Sequence, residues 1–150
     1  MESISSDLLS RYPYFAGVSE KSLEDVASIC EEKSYRSGDV LFAEGQPATH
    51  LLILVRGEVD LQSVLPTGDR KTVDTLVGGD LMCWSALIKP HRMHLDGVAR
   101  TDSRLLRIPA ERLRPLMEED RNLGYRLMTG IAGALGHRLE GAQIQLATRG

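Results

Sequence analysis

Between Tyr35 and Ile108 the chain never runs apolar for longer than a strand, and glycine-bearing turns separate the apolar segments: "SGDVLFAEGQ", "HLLILVRGEVDLQSVLPTGDRKTVDTLVGGD" and "HLDGVARTDSRLLRIP". Short apolar segments bounded by turn residues meet the requirements of β-strands, whereas helices need longer stretches with a 3.6-residue period. Val59, Leu61, Ser63 and Leu65 alternate as one face of a half-buried strand does, and Arg56-Gly57 reads as a tight hairpin turn. Several strands at this spacing imply an antiparallel sandwich or barrel.

Helical signals flank this region on both sides. Ser19 is placed to cap a helix whose apolar positions Leu23, Val26, Ala27 and Cys30 fall on one face. After Pro109 the pattern is helical again, first in "AERLRPLMEED" and then from about Asn122 onward, with Asp120 as its cap. In the last helix Met128, Ala132, Leu135, Leu139, Ala142 and Leu146 are spaced alternately by four and three, the seam of a helix that packs on another helix. Such a seam favours a homodimer. The same stripe could instead dock on the chain's own sheet, and Leu127 and Ile131 form an adjacent stripe that allows both. Gly130, Gly133 and Gly136 each cost this helix about 1 kcal/mol relative to alanine, so close approach to another backbone, or a need for a soft helix, is expected to offset them.

A chain of 150 residues is the size of one domain and buries roughly two-thirds of its unfolded surface. Two cysteines, Cys30 and Cys83, are too few for a disulfide framework or a cysteine-rich metal site and read as reduced thiols. The formal net charge of -3 argues against a surface built for nucleic-acid backbones. "MESISSDLLSRYPYF" lacks the features of a secretory signal, and the longest aliphatic run, Leu51 to Val55, is strand-sized. A cytoplasmic protein with no membrane contact is expected. Met1 and the polar tail are compatible with a complete chain, as they are with a piece of a longer regulator.

A helix, a run of glycine-punctuated strands, then two helices with the last one long: this order resembles the cyclic-nucleotide-binding domain. That domain is shared by the bacterial catabolite activator, its oxygen- and carbon monoxide-sensing relatives, and the regulatory subunits of cAMP-dependent kinase. "LLSRYPYFAGVSEKSLEDVA" is similar to the family's opening helices, "SGDVLFAEGQPATHLLILVRGEVDL" to its glycine spacing, and "GGDLMCWSAL" with "LDGVARTDSRLLRIP" to its ligand cassette and following strands. The resemblance implies an α+β fold: an antiparallel double-stranded β-helix, or jelly-roll barrel, with N-terminal helices and a long C-terminal helix. It divides a single domain, 1–150, into helices at 1–33, a barrel at 34–108 with its cassette at 78–93, and helices at 109–150.

In the family the cassette's exposed N–H groups meet a cyclic phosphate, a glutamate holds the ribose hydroxyl, and an arginine some ten residues later neutralises the phosphate. Here Cys83-Trp84 occupy the glycine-glutamate positions and Met93 stands where the arginine is expected. Indole only donates, so Trp84 cannot accept from a ribose and would fill the space or stack on a ligand. Arg92 is one residue off: a loop of different length would swing it into place, whereas a regular strand would point it to the other face. A hydrogen bond to a charged group contributes about 1.5–3 kcal/mol, so losing it costs roughly ten- to a hundredfold in affinity. Lys89, His91 and Arg92 are substitute charges, with a solvated loop the simpler account of Lys89. Asp80 is assigned to the turn into the cassette.

The resemblance places a base-reading position near Ala142 and Gln143. The candidate ligand-binding set is therefore Cys83, Trp84, Ser85, Arg92, Met93, His94, Ala142 and Gln143. His50, His91, His94 and His137 show no spacing that defines a metal or haem site. No motif supports a catalytic role. Three functions follow: a sensor of a small anionic ligand, cAMP or cGMP among them, that signals through helix packing in a dimer; a ligand-free interaction module; or the sensor half of a transcription regulator. The chain carries no helix-turn-helix after its long helix, so it is not expected to bind nucleic acid specifically.

Overall fold

The computed structural model describes residues 4–149; Met1 and Gly150, the limits read from the sequence, lie outside them. Strands β1 (Glu31–Tyr35), β2 (Val40–Phe42), β3 (His50–Arg56), β4 (Glu58–Val64), β5 (Arg70–Val77), β6 (Leu81–Met82), β7 (Asp96–Ala99) and β8 (Ser103–Pro109) form two four-stranded antiparallel sheets. One runs β1-β8-β3-β6 and the other β2-β7-β4-β5, so the chain passes repeatedly from one sheet to the other. This is a jelly roll, as the glycine-punctuated pattern and the resemblance imply. Helices α1 (Ser6–Ser10), α2 (Glu20–Ile29), α3 (Ala110–Glu119) and α4 (Arg121–Arg149) complete it.

Two sequence expectations give way. Arg56-Gly57 is not a hairpin turn, because β3 and β4 belong to different sheets. Gly57 has φ 103°, and a Cβ there would overlap Ser103 Oγ and sit 2.7 Å from the Asp102 carbonyl, so the chain crosses between sheets through a point where only hydrogen fits. The hairpin is one connection later, β4 to β5, closed by Leu65 N–H to Asp69 O at 2.8 Å. Secondly, strand structure begins at Glu31, inside the segment read as helical. β1 is a polar edge strand paired with β8, and Glu32–Arg104 (2.8 Å) and Glu31–Arg107 (3.6 Å) ion pairs bridge the two strands. Its charged sequence hid the strand, because an edge strand with one partner need not alternate.

The caps are where expected. Ser19 Oγ accepts from Ser22 N–H, and Asp120 Oδ1 accepts from the N–H groups of Asn122 and Leu123. Asp120 also receives the Ser22 hydroxyl, tying α2 to the α3–α4 junction.

Two hydrophobic cores lie on either side of the β1-β8-β3-β6 sheet. Leu51, Ile53, Leu81, Leu106 and Ile108 face the helices, with Phe15, Leu23, Val26, Leu113, Leu123, Leu127 and Ile131. Their sequence neighbours Leu52, Leu54, Met82 and Leu105 face the barrel interior, with Phe42, Val59, Leu61 and Met93. The two-residue period of the strands makes this division. Within α4 the buried residues are Leu123, Leu127 and Ile131, each contributing about 1.5–3 kcal/mol by leaving water. Thus the adjacent stripe docks on the chain itself. Along the seam, Met128, Ala132, Leu139, Ala142 and Leu146 are exposed, while Leu135 is half-buried against the helical core.

Candidate functional site: the cassette cavity

The turn into the cassette is built by Asp80, whose Oδ2 accepts from Val77 N–H at 2.9 Å, as assigned from sequence. β6 follows, and then Cys83 adopts φ 61°, the left-handed conformation that glycine takes most easily. The chain continues into a single 3-10 turn, Trp84–Ala86. Ser85 is buried, and its carbonyl accepts from His91 Nδ1 at 2.8 Å, which folds the 87–91 loop back on the turn.

Beyond the loop, residues 91–93 run strand-like beside 45–48. Ala48 N–H donates to His91 O (2.7 Å), Met93 N–H to Gln46 O (2.9 Å) and Gly45 N–H to Met93 O (2.9 Å). This pairing fixes the faces. Met93 points inward and is 8% exposed, while Arg92 points outward and donates to Gly45 O at 3.1 Å. Of the two alternatives for Arg92 the strand geometry holds, and Arg92 does not line the cavity that Met93 enters.

Cys83, Trp84, Ser85, Met93 and His94 do converge, around a cavity of ≈ 60 Å³ completed by Phe42, Leu61, Met82, Leu95 and Arg138. Trp84 stacks on His94, their ring centroids 5.3 Å apart and planes 22° from parallel, and so forms an aromatic edge to the cavity. Burial pushes the Cys83 thiol up, against an opposing influence of the Arg138 and Arg107 charges, so it is neutral and inert as a nucleophile. Burial likewise pushes Cys30 up to about 12. Among the described residues no three His, Cys, Asp or Glu side chains are grouped to hold a metal.

Ala142 and Gln143 are exposed and do not line the cavity. Arg138 does, one helical turn before Ala142. Its Nη2 donates to Leu81 O at 2.9 Å and its Nε lies 3.8 Å from Asp74 Oδ2, so α4 reaches across to β6 and β5. From sequence Arg138 is one of many charges flanking an apolar stripe. The signal that could have singled it out is its position beside Leu135 on the sheet-facing side.

The model of the cyclic nucleotide-binding domain matches residues 32–120, more than half of the chain. The chain belongs to the cyclic nucleotide-binding domain family. A crystal structure of a proposed cyclic nucleotide-binding protein from Geobacter metallireducens GS-15 is 35% identical and superposes with a TM-score of 0.81, covering 91% of this chain and 98% of that one. The N-terminal domain of a transcriptional regulator from Streptomyces coelicolor A3(2) is 25% identical with a TM-score of 0.70, covering 91% and 94%. This cyclic nucleotide-binding domain is also 28% identical over 131 residues to Glutaminase 1 of Bradyrhizobium diazoefficiens. That match takes in 87% of this chain but spans only 21% of the glutaminase. The family is one of regulatory sensor domains, and no helix among the described residues is long and apolar enough to cross a membrane.

Proposed function

We propose that this domain is a cytoplasmic, non-catalytic sensor that takes a small anionic ligand into the cassette cavity and signals by changing how α4 packs in a homodimer. One observation carries this reading: the cavity formed by Cys83, Trp84, Ser85, Met93 and His94 is completed by Arg138 of α4, the helix that also presents the exposed seam. A ligand acts on such an equilibrium only through different affinities for the two helix arrangements, and contact with α4 supplies that difference. Contacts to nucleic acid or membrane form no part of this function. Within a longer chain the same unit would be the sensor half of a transcription regulator, in line with its likeness to the Streptomyces domain.

The ligand's contacts are not those usual for cAMP. Met93 replaces the phosphate arginine and is buried, Trp84 replaces the ribose acceptor, and ≈ 60 Å³ is far below the ~300–1,000 Å³ of typical organic-ligand sites. These same features favour a second reading, a ligand-free module retained for dimerisation or partner binding. Trp84, the one tryptophan, separates them. Titration of cAMP, cGMP and small carboxylates, followed by indole fluorescence and calorimetry with sedimentation equilibrium alongside, is expected to give a saturable response and a shift in association for at least one of these anions. Silence in all three for both nucleotides and for the carboxylates considered below favours the ligand-free module.

A further inference from the structure

We infer that the cavity takes a compact apolar monocarboxylate, with Arg138 as the residue that holds its charge. This rests on the sensor reading and names the ligand class. The walls are Phe42, Leu61, Met82, Met93 and Leu95, so the body of any occupant must be apolar. Trp84 and His94 supply a stacked aromatic edge. At ≈ 60 Å³ the volume suits a chain of two or three carbons, is well below the ~150 Å³ of a cavity that takes benzene, and excludes a nucleoside without rebuilding the core.

The charge has one place to go. Arg92 faces away, and among the described residues Arg138 is the only arginine or lysine lining the cavity. Its side chain is 23% exposed, so a carboxylate meeting it is partly shielded from water. A guanidinium has five N–H donors in a planar fork, and here one is bound to the Leu81 carbonyl. The Asp74 carboxylate lies 3.8 Å from Nε, too far for a hydrogen bond, and is 42% exposed. Asp74, which does not line the cavity, thus pairs with Arg138 without making the bidentate contact that Arg prefers. A ligand carboxylate competes with Asp74 for the fork, and one cation balances one negative charge.

Asp74 also makes the selectivity testable. Propanoate and butanoate, each paired with its neutral amide, would be titrated into the full chain with Trp84 fluorescence and calorimetry as readouts. At least one carboxylate is expected to bind saturably, at least tenfold tighter than its amide. Arg138→Gln should abolish that preference and leave the amide's affinity unchanged, and Asp74→Asn should tighten carboxylate binding several-fold. Equal binding of acid and amide, or a preference that survives Arg138→Gln, overturns the inference, as does Asp74→Asn without effect should Arg138→Gln fail to fold. A response to cAMP or cGMP with none to the carboxylates overturns it and leaves the sensor reading standing. Silence toward all four anions removes both.

Discussion

Tyr14 lies across α4 at Gly130, where an added Cβ would stand 2.7 Å from Cδ1 of its ring, and its hydroxyl donates to the Gly79 carbonyl at 3.0 Å. The glycine therefore lets the N-terminal segment pass between the long helix and the turn that begins the cassette. Ala in place of an interior helical Gly ordinarily gains about 0.5–1 kcal/mol. Here it is expected to lose about 1–3 kcal/mol by overpacking. Gly133 and Gly136 have nothing within 4 Å, so Gly133→Ala and Gly136→Ala should each stabilise by about 0.5–1 kcal/mol. Urea unfolding of the three variants checks the contrast in sign.

The seam is best tested away from Leu135, which also serves the chain's own core. Leu139 and Leu146 are 59% and 70% exposed and belong to neither hydrophobic core. Leu139→Asp with Leu146→Asp should give a monomer by sedimentation equilibrium, with the unfolding midpoint extrapolated to low protein concentration unchanged. A dimer that persists would place the interface elsewhere.

Met93→Arg restores the family's charge at a position that is 8% exposed and faces apolar side chains. Burying an unpaired guanidinium costs several kcal/mol, so the variant alone should melt lower than the wild type. Combined with Trp84→Glu, it should gain affinity for cAMP, and cAMP should raise its melting temperature more than that of the wild type. Calorimetric scans with and without cAMP read both effects.

Asp120 gives a pH dependence of known sign. Its carboxyl is held below the usual value of 3.8 because the Ser22 hydroxyl donates to it, with the Leu123 and Asn122 N–H groups adding to this and burial opposing it. A folded-state pKa below the unfolded one contributes stability that is present above about pH 4 and lost as the pH falls through the folded value. Asp120→Asn keeps a capping oxygen but removes the titration. The gap in stability between wild type and variant should therefore be larger at pH 7 than at pH 3, measured by urea unfolding at each.

The order of elements was legible because each depends on local chemistry: alternation, turn glycines and capping side chains such as Ser19 and Asp120. What escaped depends on partners distant in sequence. A glycine with positive φ serves a hairpin or a switch between sheets equally well, so Gly57 could be placed only once Ser103 was in view. Charged β1 declares itself a strand only through β8. Cys83, Trp84, Ser85, Met93 and His94, which line one cavity, were named from the resemblance, whereas Arg138 was not. Helical spacing gives an angle around the axis, and only the docking of α4 says what lies at that angle.

The alternation of β3 has a further consequence. Leu51 and Ile53 serve one core while Leu52 and Leu54 serve the other, so the sheet is a partition between two compartments that tolerate substitution separately. Selection, or a protein engineer, could recut the cavity at Phe42, Leu61 or Met93 and leave the fit of the helices untouched. Specificity in such a domain can drift while its output stays fixed. Arg138, anchored in α4 yet lining the barrel, is one of the few residues where a change on one side must be answered on the other.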